Sequence, residues 1–276
     1  MDSVAVILPV YNEEWLIGST FGSVVAYARE HPNWVFRFVD DGSTDDTVAK
    51  IEERLEIDNA PPNIELVKRP RNTGKAVVIR ESMLAADEDL LLFTDGDLAY
   101  PLDLLDLLVE KLEDADVAIG SRALVEETQK NISLLRRTLG GGFNFLVRTL
   151  TRVPHHDTQA GLKGFTREAA RSLFTRQRVE NFAFDAELLF LARRLGLRVA
   201  EIPARVSSRH SYKKSTMNLL KDPPRMLASI VRMRLEHRGA RWIAPVKAET
   251  EIEVLRVAQE QITRGSAARE KAGVGS

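Results

Sequence analysis

The sequence contains no cysteine. Disulfides, thiolate nucleophiles and cysteine-ligated zinc are therefore excluded, and a reducing compartment fits. It also lacks any apolar run near the ~20 residues that a membrane-spanning helix needs, so a membrane would be met only from its surface. The N-terminus carries an acid, Asp2, has no basic region, and offers only the short apolar stretch Val4–Val10. That stretch reads as a first strand and not as a secretory signal, so the expected location is cytoplasmic, not secreted. There is no internal repeat. A net charge of −1 gives no general attraction for nucleic acid.

The charge that is present is unevenly placed. Residues 84–116 carry eleven Asp or Glu against one Lys, whereas residues 205–241 carry ten Lys or Arg against Asp222 and Glu236. This split predicts separate cation-binding and anion-binding regions. Hydrophobic residues make up 44% of the 276, enough to bury a sizeable core.

Short apolar runs alternate with helical stretches through the first 120 residues. The expected strands are Val4–Leu8, Val35–Val39, Ile64–Val67, Asp89–Thr94 and Val117–Gly120, with helices over 13–30, 45–57, 75–86 and 102–113. Such alternation predicts an α/β fold with a mostly parallel central sheet and helices on both faces. Further helices are expected over 131–151, 183–195, 224–238 and 245–264, a strand over Leu197–Ile202, and a disordered tail over 265–276. Ligands of parallel sheets bind beyond the carboxyl ends of the strands. The segments "PVYNEE", "DDGSTDD", "RNTGK" and "DGD" follow the first four strands in turn, which gathers them on one edge.

In "FTDGDLAY" (93–100) Asp95 and Asp97 would share a face about 6.6 Å apart. At an effective dielectric of ~20 their repulsion is about 2.5 kcal/mol, so a counter-charge is expected. A pair of carboxylates suits Mg²⁺ or Mn²⁺, hard cations that keep several waters and share phosphate oxygens with a nucleotide. Two carboxylates also serve as acid and base in glycoside hydrolysis, but that role leaves the other three polar loops unexplained. In "FVDDGSTDDT" (38–47), Asp40 and Asp41 stand either as turn and cap residues or as acceptors for a base or ribose. Lys75 in "NTGK", at a helix start, offers a phosphate contact.

Together, "VILPVYNEE", "FVDDGSTDDT" and "TDGD" resemble the nucleotide-sugar-binding half of glycosyltransferase family 2, with the GT-A fold, a Rossmann-like nucleotide-diphospho-sugar transferase fold. The segments "IGSRAL" (119–124), "LLRRTLGGGFNFLVR" (134–148), "DTQAGLKGFTREAAR" (157–171) and "FAFDAELLFLARRLGLRVAEIP" (182–203) look like dolichyl-phosphate β-glucosyltransferases and their polyprenyl-phosphate relatives. The likeness spans roughly residues 3–240. It implies a GT-A domain over 1–244, with a nucleotide-sugar half (1–120) and an acceptor half (121–244). Pro9, Tyr11, Glu13, Asp40, Asp41, Lys75, Asp95 and Gly96 would line the nucleotide-sugar pocket, and Asp95 and Asp97 would hold the divalent cation. Asp97, Asp157 and Arg122 would be catalytic. Arg136, Arg137, Gln159, Arg209, Lys213 and Lys214 would meet the acceptor and its phosphate. Asp185 and Glu187 would border the sugar pocket or brace it, or more plainly pair with Arg193 and Arg194.

The implied activity is an inverting transfer of a hexose, expected to be glucose from UDP-glucose, onto a polyprenyl or dolichyl phosphate. Mannose-transferring relatives often carry Gln where this sequence has Ala99, which favours glucose over GDP-mannose. Resembling enzymes usually have membrane anchors; here only Met1–Ser3 precede the first strand. That keeps two alternatives open, a soluble hexosyltransferase with a small hydroxyl acceptor and a nucleotide-sugar-binding regulatory protein. Contact with an anionic membrane would fall to the helix over 224–238, where Met226, Ile230, Met233 and His237 share a face that either packs inward or lies on lipid. Nothing in the sequence sets an oligomeric state.

Overall fold

The computed structural model describes residues 2–125, 149, 151–155, 157–181, 183–207, 222–237 and 253–255. Its elements are β1 (Val4–Val10), α1 (Ile17–Glu30), β2 (Trp34–Asp40), α2 (Thr47–Ile57), β3 (Ile64–Lys68), α3 (Lys75–Ala85), β4 (Leu90–Thr94), α4 (Leu104–Leu112) and β5 (Val117–Ser121). After a 3₁₀ turn at Arg122–Leu124 come β6 (Leu162–Thr166), α5 (Arg167–Phe174), α6 (Phe184–Leu195), β7 (Val199–Pro203), α7 (Asp222–Glu236) and β8 (Glu253–Leu255).

The strands form one eight-stranded sheet in the order β7-β5-β6-β4-β1-β2-β3-β8. Strand β1 explains why both faces are covered. Val4, Val6, Leu8 and Val10 enter one core, with Ile17, Phe21 and Val24 of α1, Ile51 of α2 and Leu105 and Leu108 of α4. Ala5 and Ile7 point the other way, into a second core with Ile79 and Met83 of α3, Leu173 and Phe174 of α5 and Leu188 and Leu191 of α6. A strand buried on both sides reads as an unbroken apolar run, which is how Val4–Val10 appears in the sequence.

The neighbours of β1 are parallel, as expected, with β2 on one side and β4 on the other. Beyond β4 the sheet departs from simple alternation. β6 runs antiparallel to both β4 and β5, inserted between them, and β7 pairs parallel with β5 on the far side. The expected helix over 245–264 is corrected where the chain is described: Glu253–Leu255 is a strand, antiparallel to β3. In "EIEVL" polar and β-branched residues alternate, and the open edge of β3 supplies backbone partners that a helical pattern ignores. The helix expected over 131–151 and the tail 265–276 fall outside the described residues, apart from 149 and 151.

Helix α7 starts two residues before the expected position, and its Ile230 and Met233 are buried in the second core. His237, just after it, is buried too and stacks on Phe190 of α6, with ring centroids 6.1 Å apart. These three side chains of the proposed lipid-facing stripe therefore pack inward. Val231 and Leu235 are the exposed large apolar residues of this helix among those described.

One turn is sterically exacting. Gly42 has φ +71°, and a Cβ there would lie 2.6 Å from the carbonyl carbon and 2.7 Å from the Cα of Arg71. The loop after β2 thus passes directly against the loop after β3, holding two of the polar segments together. Gly42→Ala combines a left-handed backbone penalty with a backbone overlap, and is expected to destabilise by about 3 kcal/mol in urea titration.

Candidate active site

All four polar segments lie at the carboxyl ends of β1–β4, but their acids do different things. Asp40 is buried and turned to its own loop, accepting hydrogen bonds from the backbone N–H of Gly42 and Ser43, both at 3.1 Å. Asp41, also buried, accepts from Thr73 N and Oγ1 at 3.0 Å and from Gly74 N at 2.7 Å, with Arg69 Nη1 3.4 Å away. Arg69 is held in turn by Glu81 at 2.7 Å. Asp40 is thus the turn acceptor of the first reading, and Asp41 braces the 72–75 loop from across the edge. Tyr11, beside Asn12 just after β1, is exposed.

The Glu13 backbone is anchored across the edge. Its N–H donates to Thr47 Oγ1 at 2.8 Å, and the N–H of Asn12 donates to Ser43 Oγ at 2.9 Å. Pro9 closes against the DGD turn: a Cβ on Gly96 would lie 2.4 Å from the Pro9 carbonyl oxygen. Glycine at 96 is therefore what permits Asp95 and Asp97 to stand over the end of β1. Asp97 Oδ1 accepts from Ala99 N at 3.1 Å, which tightens the turn.

Asp95 is ion-paired with Lys75 at the start of α3. Burial works against the Lys75 charge, but attraction to Asp95, then Asp185, outweighs it and raises the ammonium pKa. On its other side Asp95 is pressed by Gly161, whose missing Cβ would fall 2.2 Å from Asp95 Oδ2. The expected counter-charge in the vicinity of the two carboxylates is thus partly a lysine. The donor set also fits Mg²⁺ or Mn²⁺: two carboxylates on one glycine turn, in a cradle that a side chain at 161 would fill. No group of three or more His, Cys, Asp or Glu residues among those described could enclose a metal ion, so a cation here would draw on water and phosphate oxygens.

Arg122, immediately after β5, grips Asp157 with both prongs of its guanidinium, Nε to Oδ2 at 2.6 Å and Nη2 to Oδ1 at 3.0 Å. Gln159 N donates to Oδ1 at 3.1 Å, and Arg122 N to Oδ2 at 3.2 Å. Burial alone would raise the Asp157 carboxyl, yet these bonds and the arginine charge hold it below the usual carboxylate range. Such a group is a poor base. Gln159 Nε2 is buried with no hydrogen-bond partner among the described residues. Arg136, Arg137, Arg209, Lys213 and Lys214 lie outside the described residues.

Asp185 and Glu187 do not pair with Arg193 and Arg194. Asp185 is bound to Lys163 Nζ at 2.6 Å, and burial, outweighing Lys163 and Lys75, raises its pKa. Glu187 is fully buried and accepts from Arg178 N at 3.0 Å and Val179 N at 2.8 Å, while His237 Nε2 lies 2.9 Å from its other oxygen. Glu187 is thus a structural clasp. Lys163 escaped the sequence reading, although one charged residue inside the apolar strand "LKGF" was a usable signal.

Comparison with known proteins agrees with this geometry. The chain is 33% identical over 259 residues to a dolichyl-phosphate beta-glucosyltransferase of Trichomonas vaginalis, covering 89% of this chain and 75% of that one. It is 30% identical over 256 residues to the dolichyl-phosphate beta-glucosyltransferase of Saccharomyces cerevisiae, covering 85% and 75%. Among solved structures, glucosyl-3-phosphoglycerate synthase of Mycobacterium tuberculosis in complex with UDP superimposes with a TM-score of 0.62 at 20% identity, over 84% of this chain and 80% of that one. That likeness supports the GT-A fold. The model of the family described as "Glycosyl transferase family 2" matches residues 5–174, from β1 to the last residue of α5. With its polar loops on the carboxyl edge of a mostly parallel sheet, the chain belongs to glycosyl transferase family 2.

Proposed function

We propose that the chain transfers glucose from UDP-glucose, with inversion, to a polyprenyl phosphate such as dolichyl phosphate. The observation that carries the acceptor class is the state of the carboxylates. Asp157 is held by Arg122 with its carboxyl below the usual carboxylate range, and so is not kept as a base, while Asp185 is buried against Lys163. A hydroxyl acceptor needs deprotonation as it attacks, whereas a phosphate monoester, with a second pKa of about 6, arrives largely ionised. What it needs is position, which cationic side chains supply.

In this reading residues 1–120 hold the nucleotide sugar and residues 121–244 the acceptor. Asp95 and Asp97 hold the divalent cation, which when bound would neutralise charge on the leaving diphosphate. Lys75 orients the donor's phosphates, Tyr11 borders the base, and the Asp157–Arg122 pair sets the acceptor loop, with Gln159 as donor. Two mycobacterial synthase structures are described with Mn²⁺ or Mg²⁺ and UDP, which supports a divalent cation and a uridine donor. The named relatives support glucose and the lipid phosphate. Access to the lipid would be peripheral, at the cytoplasmic face of a membrane, through the exposed Val231 and Leu235 beside Arg232; no described helix is long and apolar enough to cross one.

The test is transfer of labelled glucose from UDP-glucose, with Mn²⁺, to polyprenyl phosphate and to the corresponding polyprenol in parallel. Labelled lipid is expected from the phosphate alone. Equal transfer to the alcohol would overturn the acceptor class, and a preference for GDP-mannose would overturn the sugar.

A further inference from the structure

Lys163 is a fully buried charge close to the site. It lies mid-strand in β6, between Phe93 of β4 and Ile119 of β5, with 0% of its surface exposed. Its ammonium bonds to Asp185 Oδ1 at 2.6 Å and to the Ala160 carbonyl, and lies 5.6 Å from the centre of the Phe93 ring. The Lys75 ammonium is 5.8 Å from the centre of that same ring. Replacing a buried ion pair by apolar side chains is often neutral or stabilising, so stability alone does not account for this one. What it does electrically is more telling. Asp185 attracts Lys75 as well as Lys163, and Lys75 is paired with Asp95. Charges therefore alternate from the core to the site: Lys163, Asp185, Lys75, Asp95. The start of β6 governs both ends of this chain, since Gly161 abuts Asp95 and Lys163 holds Asp185.

We infer that Lys163 is a positioning residue for the metal centre: by neutralising Asp185 it leaves Lys75 to guard Asp95 until cation and donor arrive. This rests on Asp95 and Asp97 being the metal ligands. Without the Lys163 charge, Asp185, at a pH high enough to keep it ionised against burial, would draw Lys75 towards itself and off Asp95, and its own negative charge would also reach the cation. Without the Asp185 charge, Lys163 would stand uncompensated and Lys75 would hold Asp95 more firmly. The two losses have opposite signs.

The experiment is calorimetric titration of Mn²⁺ into nucleotide-free protein, at mildly alkaline pH to favour the ionised form of Asp185, with circular dichroism to establish folding. Lys163→Met is expected to tighten Mn²⁺ binding on the order of tenfold, and Asp185→Asn to weaken it by a similar factor. The double variant, neutral at both positions, should return to within about threefold of wild type. A role confined to packing would move both single variants in one direction or leave both unmoved, and either result overturns the inference. If Lys163→Met does not fold, Asp185→Asn and the double variant decide alone: weakening followed by recovery upholds it, and weakening in both overturns it. Wild-type protein that binds no Mn²⁺ would overturn the metal assignment itself, and this inference with it.

Discussion

Asp97→Ala is expected to lower glucosyl transfer about a thousandfold, since a cation on a leaving diphosphate is worth several kcal/mol and each 1.36 kcal/mol is a factor of ten. The fold should survive. In the structure Asp97 Oδ1 accepts a hydrogen bond from Ala99 N in its own turn at 3.1 Å, and a bond of that kind adds about 1 kcal/mol net. Asp97→Asn separates the two roles, because an amide oxygen can accept from Ala99 N but carries no charge for the cation. Both variants should be comparably inactive, with urea midpoints close to wild type, when kcat/KM for UDP-glucose is measured across a range of Mn²⁺ concentrations. An Asn variant with wild-type turnover would remove Asp97 from the metal site and reduce the motif to a turn. Lys75 sharpens the contrast between the two carboxylates: Asp95 already has a cation of its own and Asp97 is held to its turn, so the two are not interchangeable.

The parts of this architecture that were legible in the sequence are those set by local periodicity. Val4–Val10 is buried on both faces and appears as an unbroken apolar run; Leu104, Leu105, Leu108 and Leu112 recur at helical spacing and line one face of α4. The positions of the polar loops followed from strand–helix alternation, because each parallel strand must end on the same edge. What escaped depended on pairings between distant segments. Nothing local in "GLKGFT" says that this strand inserts antiparallel between β4 and β5, and nothing local in "EIEVL" says that β3 has a free edge for it. Side-chain partners were hidden for the same reason. Asp41 resembled a ligand because its neighbours in sequence are polar, but its partners Thr73 and Gly74 are 32 and 33 residues away. Asp185 seemed to face arginines on its own helix, whereas its cation comes from β6, 22 residues earlier.

Gly161→Ala should disable the site with little harm to the fold. A Cβ at 161 would lie 2.2 Å from Asp95 Oδ2, 2.6 Å from its Cγ and 2.7 Å from Oδ1, so the whole carboxylate is in the way. The backbone at 161 is not in the left-handed region, and alanine adds no conformational strain there. Relief must come from Asp95, a short side chain with one alternative: rotate about χ1, leaving Lys75 and the cation-holding orientation together. The expected result is a loss of about a hundredfold or more in kcat/KM, because a metal ligand misplaced by 1 Å behaves nearly as one removed. Its urea midpoint should move by less than that of Gly96→Ala, whose new methyl would meet the Pro9 carbonyl at 2.4 Å and Val10 Cγ1 at 2.8 Å. Strand backbone cannot swing aside as a carboxylate can, so position 96 loses stability where position 161 loses chemistry. Measuring both variants for urea unfolding and for Mn²⁺-dependent turnover checks this. A Gly161→Ala enzyme with wild-type turnover would mean that Asp95 works in a different orientation from the one β6 imposes.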